Sequence, residues 1–126
     1  MKREIKFRGY SNEHGWIYGD LLQYPNGETY IMEHSNGEIL SYIVESDTVG
    51  QYTGMKDSKG KRIFEGDILG GDGCAHVIQY KEDEAKFVAV LEGRQDLPCG
   101  IDQRWINEFK KVVGGSIQER PEIFNF

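Results

Sequence analysis

"YPNGETYIMEHSNGEILSYIVE" (residues 24–45) is the stretch that decides the fold. It contains two Asn-Gly pairs, Asn26-Gly27 and Asn36-Gly37, each set between runs rich in β-branched and aromatic residues. Asn-Gly is favoured in tight hairpin connections because both residues tolerate positive φ. The runs around the two pairs, "WIYGDLLQY" (16–24), "ETYIMEH" (28–34) and "EILSYIVE" (38–45), therefore read as three strands of a meander over residues 16–45.

The same pattern extends in both directions. In "EIKFRGY" (4–10), Ile5 and Phe7 alternate with Lys6 and Arg8, the period of a half-buried strand. The turn cluster "SNEHG" (11–15) joins it to the meander. Towards the C-terminus, "QYTGM" (51–55) and "KRIF" (61–64) form two arms around "DSKG" (57–60). Asp57 at the first position and Gly60 at the fourth suit a type I turn with a positive-φ bulge. "EGDIL" (65–69) starts a further strand. "CAHVIQYK" (74–81) and "AKFVAVLE" (85–92) read as strands joined by the acidic turn "EDE".

"GRQDLPCGIDQ" (93–103) reads as a loop, and "RWINEF" (104–109) fits one helical turn or a short strand equally well. "KKVVGGSIQ" (110–118) is a late strand, and Pro121 suits the first position of a short terminal helix. No amphipathic pattern of three or more helical turns occurs. The expected architecture is one mainly-β domain over residues 1–126. In it a bent antiparallel sheet closes into one or two small barrels, with at most short helices.

Composition agrees. The 126 residues are the size of one domain, and 38% hydrophobic residues supply a core. Sixteen glycines against three prolines favour many tight turns. A net charge of −6 argues against a protein held on nucleic acid by bulk positive charge, yet it leaves room for a local basic patch. Cys74 and Cys99 stand far apart with no CxxC, which suits two free thiols in a reducing cytoplasm. "MKREIKFRGY" (1–10) is charged from its second residue, and no apolar run reaches the roughly 18–20 residues of a membrane helix. A cytoplasmic protein without membrane contact is expected.

Two groups of residues invite a chemical reading. Glu65 and Asp67, two apart in a strand, project to one face and form a possible carboxylate pair for metal-assisted hydrolysis, with Asp20 or Asp72 as a third ligand. The plainer reading makes them turn and strand-start carboxylates that accept backbone N–H groups. An echo between "YGDLL" (18–22) and "EGDIL" (65–69) suggests a shared way of starting a strand. Lys56, Lys59, Lys61 and Arg62, with Tyr52 for stacking, form a small basic patch suited to a nucleic-acid backbone. The plainer reading there is a solvated hairpin tip. His14, His34 and His76 have no metal-ligand spacing, and Cys74 with His76 is one pair only. No phosphate-loop, dinucleotide, nucleophile-elbow or zinc-protease motif occurs, so no cofactor and no metal are expected.

Three segments together, "IKFRGY" (5–10), "TVGQYTGMKDSKGKRIFEGDIL" (48–69) and "VVGGSIQERPEIF" (112–124), resemble the YopX family of small phage and prophage proteins. The central segment is the most specific. In the tail, Gly115, Ile117, Glu119, Pro121 and Glu122 match the family pattern, whereas Ser116 and Arg120 replace its usual asparagines. The resemblance implies a β-rich, barrel-like fold and a bacterial cytoplasmic setting, and it carries no catalytic residues over. The leading expectation is a non-catalytic accessory protein that self-associates or binds a phage or host protein through exposed strand edges. The alternatives are a nucleic-acid-binding barrel using residues 56–62 and, more weakly, a metal-dependent hydrolase using Glu65, Asp67 and Asp20.

Overall fold

Both Asn-Gly pairs turn the chain where the sequence places them, but by different means. At Asn36-Gly37 both residues take positive φ, 51° and 80°, as a two-residue connection demands. At Asn26-Gly27 only Gly27 does, at 94°. There Pro25 holds the second turn position, and the Gly27 N–H donates to the Tyr24 carbonyl at 3.0 Å. Pro25 makes this the longer connection, with glycine as its left-handed residue.

The computed structural model describes residues 3–94, 96 and 98–120. The chain divides into two compact units, Met1–Tyr52 and Thr53–Phe126. The first contains β1 (Phe7–Ser11), β2 (Gly15–Gln23), β3 (Thr29–Ser35), β4 (Glu38–Ile43) and most of β5 (Glu45–Lys56). Its order is β4-β3-β2-β1-β5, and the β1–β2, β2–β3, β3–β4 and β1–β5 pairs are antiparallel. The expected meander over 16–45 is β2–β4.

Alternation decides which face of the meander is buried. Leu21, Ile31 and Tyr42 lie opposite one another in register, and Ile31 is fully buried with Ile17 and Val44, flanked by Phe7 and Val49. Each such aliphatic side chain contributes roughly 1.5–3 kcal/mol by leaving water. Arg8 is buried in this unit, its guanidinium 4.6 Å from the Trp16 ring centroid. The β1–β5 register shifts between Arg8 and Tyr10, which lie opposite Gly50 and Glu45, so the extra residues bulge out of β5.

The second unit receives the end of β5, which pairs with β6 (Arg62–Phe64). It continues with β7 (Asp67–Gly70), β8 (His76–Lys81), a 3₁₀ turn (Glu82–Glu84), β9 (Lys86–Leu91), β10 (Cys99–Gly100), α1 (Gln103–Glu108) and β11 (Val112–Ser116). A sheet ordered β10-β9-β8-β7-β11 has antiparallel pairings throughout. Its core has two clusters, Ile63, Leu69, Ile78, Ala89 and Ile106 on one side and Ile68, Val77, Val88 and Val90 on the other. Because both faces of its centre are covered, β9 reads as a near-continuous apolar run, "FVAVL", and β8 is apolar at Val77 and Ile78.

The protein is thus mainly β with two antiparallel sheets. Among the described residues both sheets have end strands, and no pairing closes either of them. One segment that the sequence leaves open is settled, and one differs from its reading. "RWINEF" is helical because Asp102 caps it, its carboxylate accepting the Trp105 N–H at 2.8 Å. The expected loop 93–103 contains the short strand β10, where Cys99 lies opposite Ala89. The terminal helix expected at Pro121 lies outside the described residues.

The Gly-Asp echo is not a structural repeat. Gly66 turns at φ 93° and Asp67 is buried at the start of β7. Gly19 lies mid-strand with ordinary φ, where a Cβ would land on the Met32 carbonyl, and Asp20 faces solvent.

Candidate functional site

The 57–61 turn is built on one carboxylate. Asp57, 5% exposed, accepts the Lys59 N–H (2.9 Å) and Lys61 N–H (2.8 Å) on Oδ1 and the Val113 N–H (3.0 Å) on Oδ2. The Gly60 N–H donates to the Asp57 carbonyl at 3.0 Å, with Gly60 at φ 86°. Burial works to raise the Asp57 pKa, but the Val113, Lys61 and Lys59 N–H groups together outweigh it and hold the carboxyl below its ordinary range.

Asp57 fastens the tip to β11, and two further contacts extend that attachment. The Ser58 N–H donates to the Lys111 carbonyl at 2.9 Å. Gln103 at the start of α1 takes the Lys56 N–H on Oε1 (3.0 Å) and donates from Nε2 to the Lys56 carbonyl (2.6 Å). The basic tip is therefore a fixed feature of the second unit.

Lys56, Lys59, Lys61 and Arg62 are all exposed, as a patch requires. Tyr52 is not available to it. It is only 6% exposed, in the first unit, so the expected stacking role is corrected. Glu65 is half-buried, and the buried Asp67 accepts the Phe64 N–H at 2.8 Å, the strand-start role. Asp20 belongs to the first unit, exposed and paired with His34 at 2.8 Å. Among the described residues no three His, Cys, Asp or Glu side chains are grouped to hold a metal ion.

Sequence reasoning missed the cluster around Lys111. This ammonium is fully buried just before β11. It donates to Asp72 Oδ1 (2.6 Å), the Cys74 carbonyl (3.0 Å) and His76 Nδ1 (3.1 Å), and lies 5.5 Å from the Trp105 ring centroid. Three donors meet three acceptors, so the group is a staple between the 71–76 loop and β11, with no lone pair presented to a substrate. With Lys111 donating to Nδ1, His76 is the neutral tautomer carrying its proton on Nε2. Burial first, and then the Lys111 charge, lower its pKa, while the Asp72 charge opposes them. Only the 39-residue separation of Asp72 and Lys111 hides the pair from a reading along the chain.

A third feature belongs to the first unit. Opposite the buried face of the meander, Ile43, Tyr30 and Leu22 lie in one cross-strand row. Ile43 is 58% exposed and Ile39, on the same face of β4, is 57%. Tyr24 extends the apolar row, its ring edge-on to Tyr30 at 5.7 Å. Beside β4, a hollow of about 440 Å³ is lined by Asn12, His14, Tyr42 and Glu45, among others. Its Asn12 amide is already bonded to Glu45 at 2.6 Å.

A small mainly-β protein with two antiparallel sheets and a rigid basic turn is the class these features define. The YopX protein family model matches residues 6–125, so the chain belongs to the YopX family. Among solved structures it is similar to protein EF1440 from Enterococcus faecalis, with 25% identity and a TM-score of 0.60 over 97% of this chain and 99% of the other. No curated protein matches the chain. In this chain no helix is long and apolar enough to cross a membrane among the described residues.

Proposed function

We propose that the chain is a non-catalytic accessory protein of a phage or prophage, acting in the bacterial cytoplasm by pairing with a second copy of itself through β4. The observation that supports this is an unprotected edge. β4 is the end strand of its sheet, and "EILSYI" (38–43) contains no lysine, no proline and no bulge against β3. Natural edge strands usually carry one of these devices to prevent pairing. This one carries Ile39, Leu40 and Ile43, all exposed.

A second copy suits the edge in geometry and charge. Antiparallel pairing about a two-fold axis at Ser41 sets Ser41 against its own copy, Leu40 against Tyr42 and Ile39 against Ile43, each pair on one face of the joined sheet. Such an interface is self-complementary. The two Glu38 carboxylates fall at opposite ends, so the net charge of −6 does not oppose the contact locally. Light scattering tests the reading at concentrations in the tens of micromolar. The parent chain should have the mass of a dimer, and Ile39→Lys/Ile43→Lys, changed at exposed positions only, that of a monomer. A parent that stays monomeric, or a lysine variant that stays dimeric, overturns it.

A further inference from the structure

We infer that the second unit carries a second surface, independent of β4, which binds single-stranded nucleic acid through Lys56, Lys59, Lys61 and Lys110, with Phe109 as the stacking ring. Three attachments, one backbone-to-backbone and two through side chains, bring these residues together. The Gln103–Lys56 bonds, the Ser58–Lys111 bond and the Asp57–Val113 bond join the basic tip to the end of α1 and the start of β11. Lys110 sits between these attachments, next to the residue whose carbonyl holds Ser58. Among the described residues none of the four lysines forms an ion pair, and all four are exposed. Lys81 and Lys86 of the same unit differ, since they pair with Asp83 and Glu84.

The end of α1 adds two observations. The Lys111 N–H donates to the Ile106 carbonyl (2.9 Å) and the Lys110 N–H to the Asn107 carbonyl (3.3 Å), the paired bonds of a Schellman ending. Its left-handed position normally takes glycine. Here Lys110 occupies it at φ 52°, a conformation unfavourable for a side chain, one residue before the carbonyl that holds Ser58 of the tip. Phe109, just before Lys110, is 49% exposed. Its ring lies 6.2 Å from that of Trp105, which supports it from behind. Cations around a supported, exposed aromatic ring suit a backbone whose bases are free to stack. Helix α1 has six residues, too few to serve as a recognition helix in the major groove of a duplex.

Four phosphates neutralised on a single strand give a log–log salt slope of about −3, or about a 50-fold loss of affinity between about 50 and 200 mM salt. The experiment is fluorescence anisotropy of a labelled oligothymidylate, and of a duplex of equal length, against the full chain. Lys59→Ala/Lys61→Ala/Lys110→Gly should lose at least tenfold in affinity and flatten the salt slope. Lys110→Gly relieves the left-handed residue, so the thermal midpoint of this variant should hold or rise, separating lost binding from lost folding. Phe109→Ala should weaken binding about tenfold with the slope unchanged. The proposal is overturned by no binding at low salt, by a triple variant that binds like the parent, or by a duplex bound as tightly as the single strand. None of these outcomes bears on β4.

Discussion

Replacing Asp57 by alanine should be the most damaging change to the polar framework of the 57–61 turn. The substitution leaves three backbone donors without their acceptor, those of Lys59, Lys61 and Val113. A buried donor left unpaired costs about 1–3 kcal/mol, and bonds to a charged acceptor lie at the upper end. Lys59 and Lys61 are exposed and water replaces part of what they lose, whereas Val113 sits against the core. The sum is about 3 kcal/mol, a large share of the stability of a small unit. Asp57→Asn retains one acceptor oxygen and turns an amide N–H towards another donor, so it should cost about half as much. The assay is urea unfolding followed by Trp105 fluorescence in a Trp16→Phe background. Asp83→Ala is the control, since its carboxylate meets only the exposed Lys81 pair and should shift stability by less than about 0.5 kcal/mol. If Asp57→Ala falls within about 1 kcal/mol of the parent, the turn does not depend on this carboxylate and the reasoning fails.

Further outcomes follow from the same structure. Gly19→Ala should cost about 1–3 kcal/mol or more by driving a Cβ into the Met32 carbonyl, read in urea by Trp16 fluorescence, while Gly100→Ala, with open space and ordinary φ, should be near neutral by Trp105 fluorescence. Stability should fall as pH drops below the ordinary histidine range, because the unfolded chain protonates His76 more readily than the folded one. A second decline should follow below the ordinary aspartate range, where the lowered pKa values of Asp57 and Asp72 give the same sign. Thermal unfolding across pH reads both, and a midpoint that rises with acid contradicts them. Lys111→Met removes a neighbouring positive charge and leaves Asp72 in place, so an NMR titration should find the His76 pKa higher than in the parent. An unchanged titration means that Lys111 does not govern this ring.

Much of the architecture was legible because it is local. Asn-Gly and Asp-x-x-Gly turns, alternation in β1 and the apolar run in β9 are written in consecutive residues, and these strands fall where the sequence places them. The rest depends on partners far along the chain. "RWINEF" has no decisive period of its own, and the capping carboxylate of Asp102 settles it as a helix. The fate of Tyr52 turns on a half-buried strand pattern that gives no hint of which tyrosines remain outside. Lys111 reads as one more surface cation in "KKVVGG", and only the folding of the 71–76 loop onto it reveals a buried staple. In the same run, Phe109 and Lys110 gain meaning through Lys56 and Ser58, some fifty residues earlier. The exposed apolar side chains of β4 were visible as a strand, but not as the end strand of the sheet.

Amide hydrogen exchange of residues 38–43, compared between dilute and concentrated protein, reads the β4 edge directly. Pairing with a second copy should protect alternate β4 amides as concentration rises, while the amides of β3 and β8, already paired within the chain, keep their rates. β4 exchange that is fast and independent of concentration would contradict self-association through this edge.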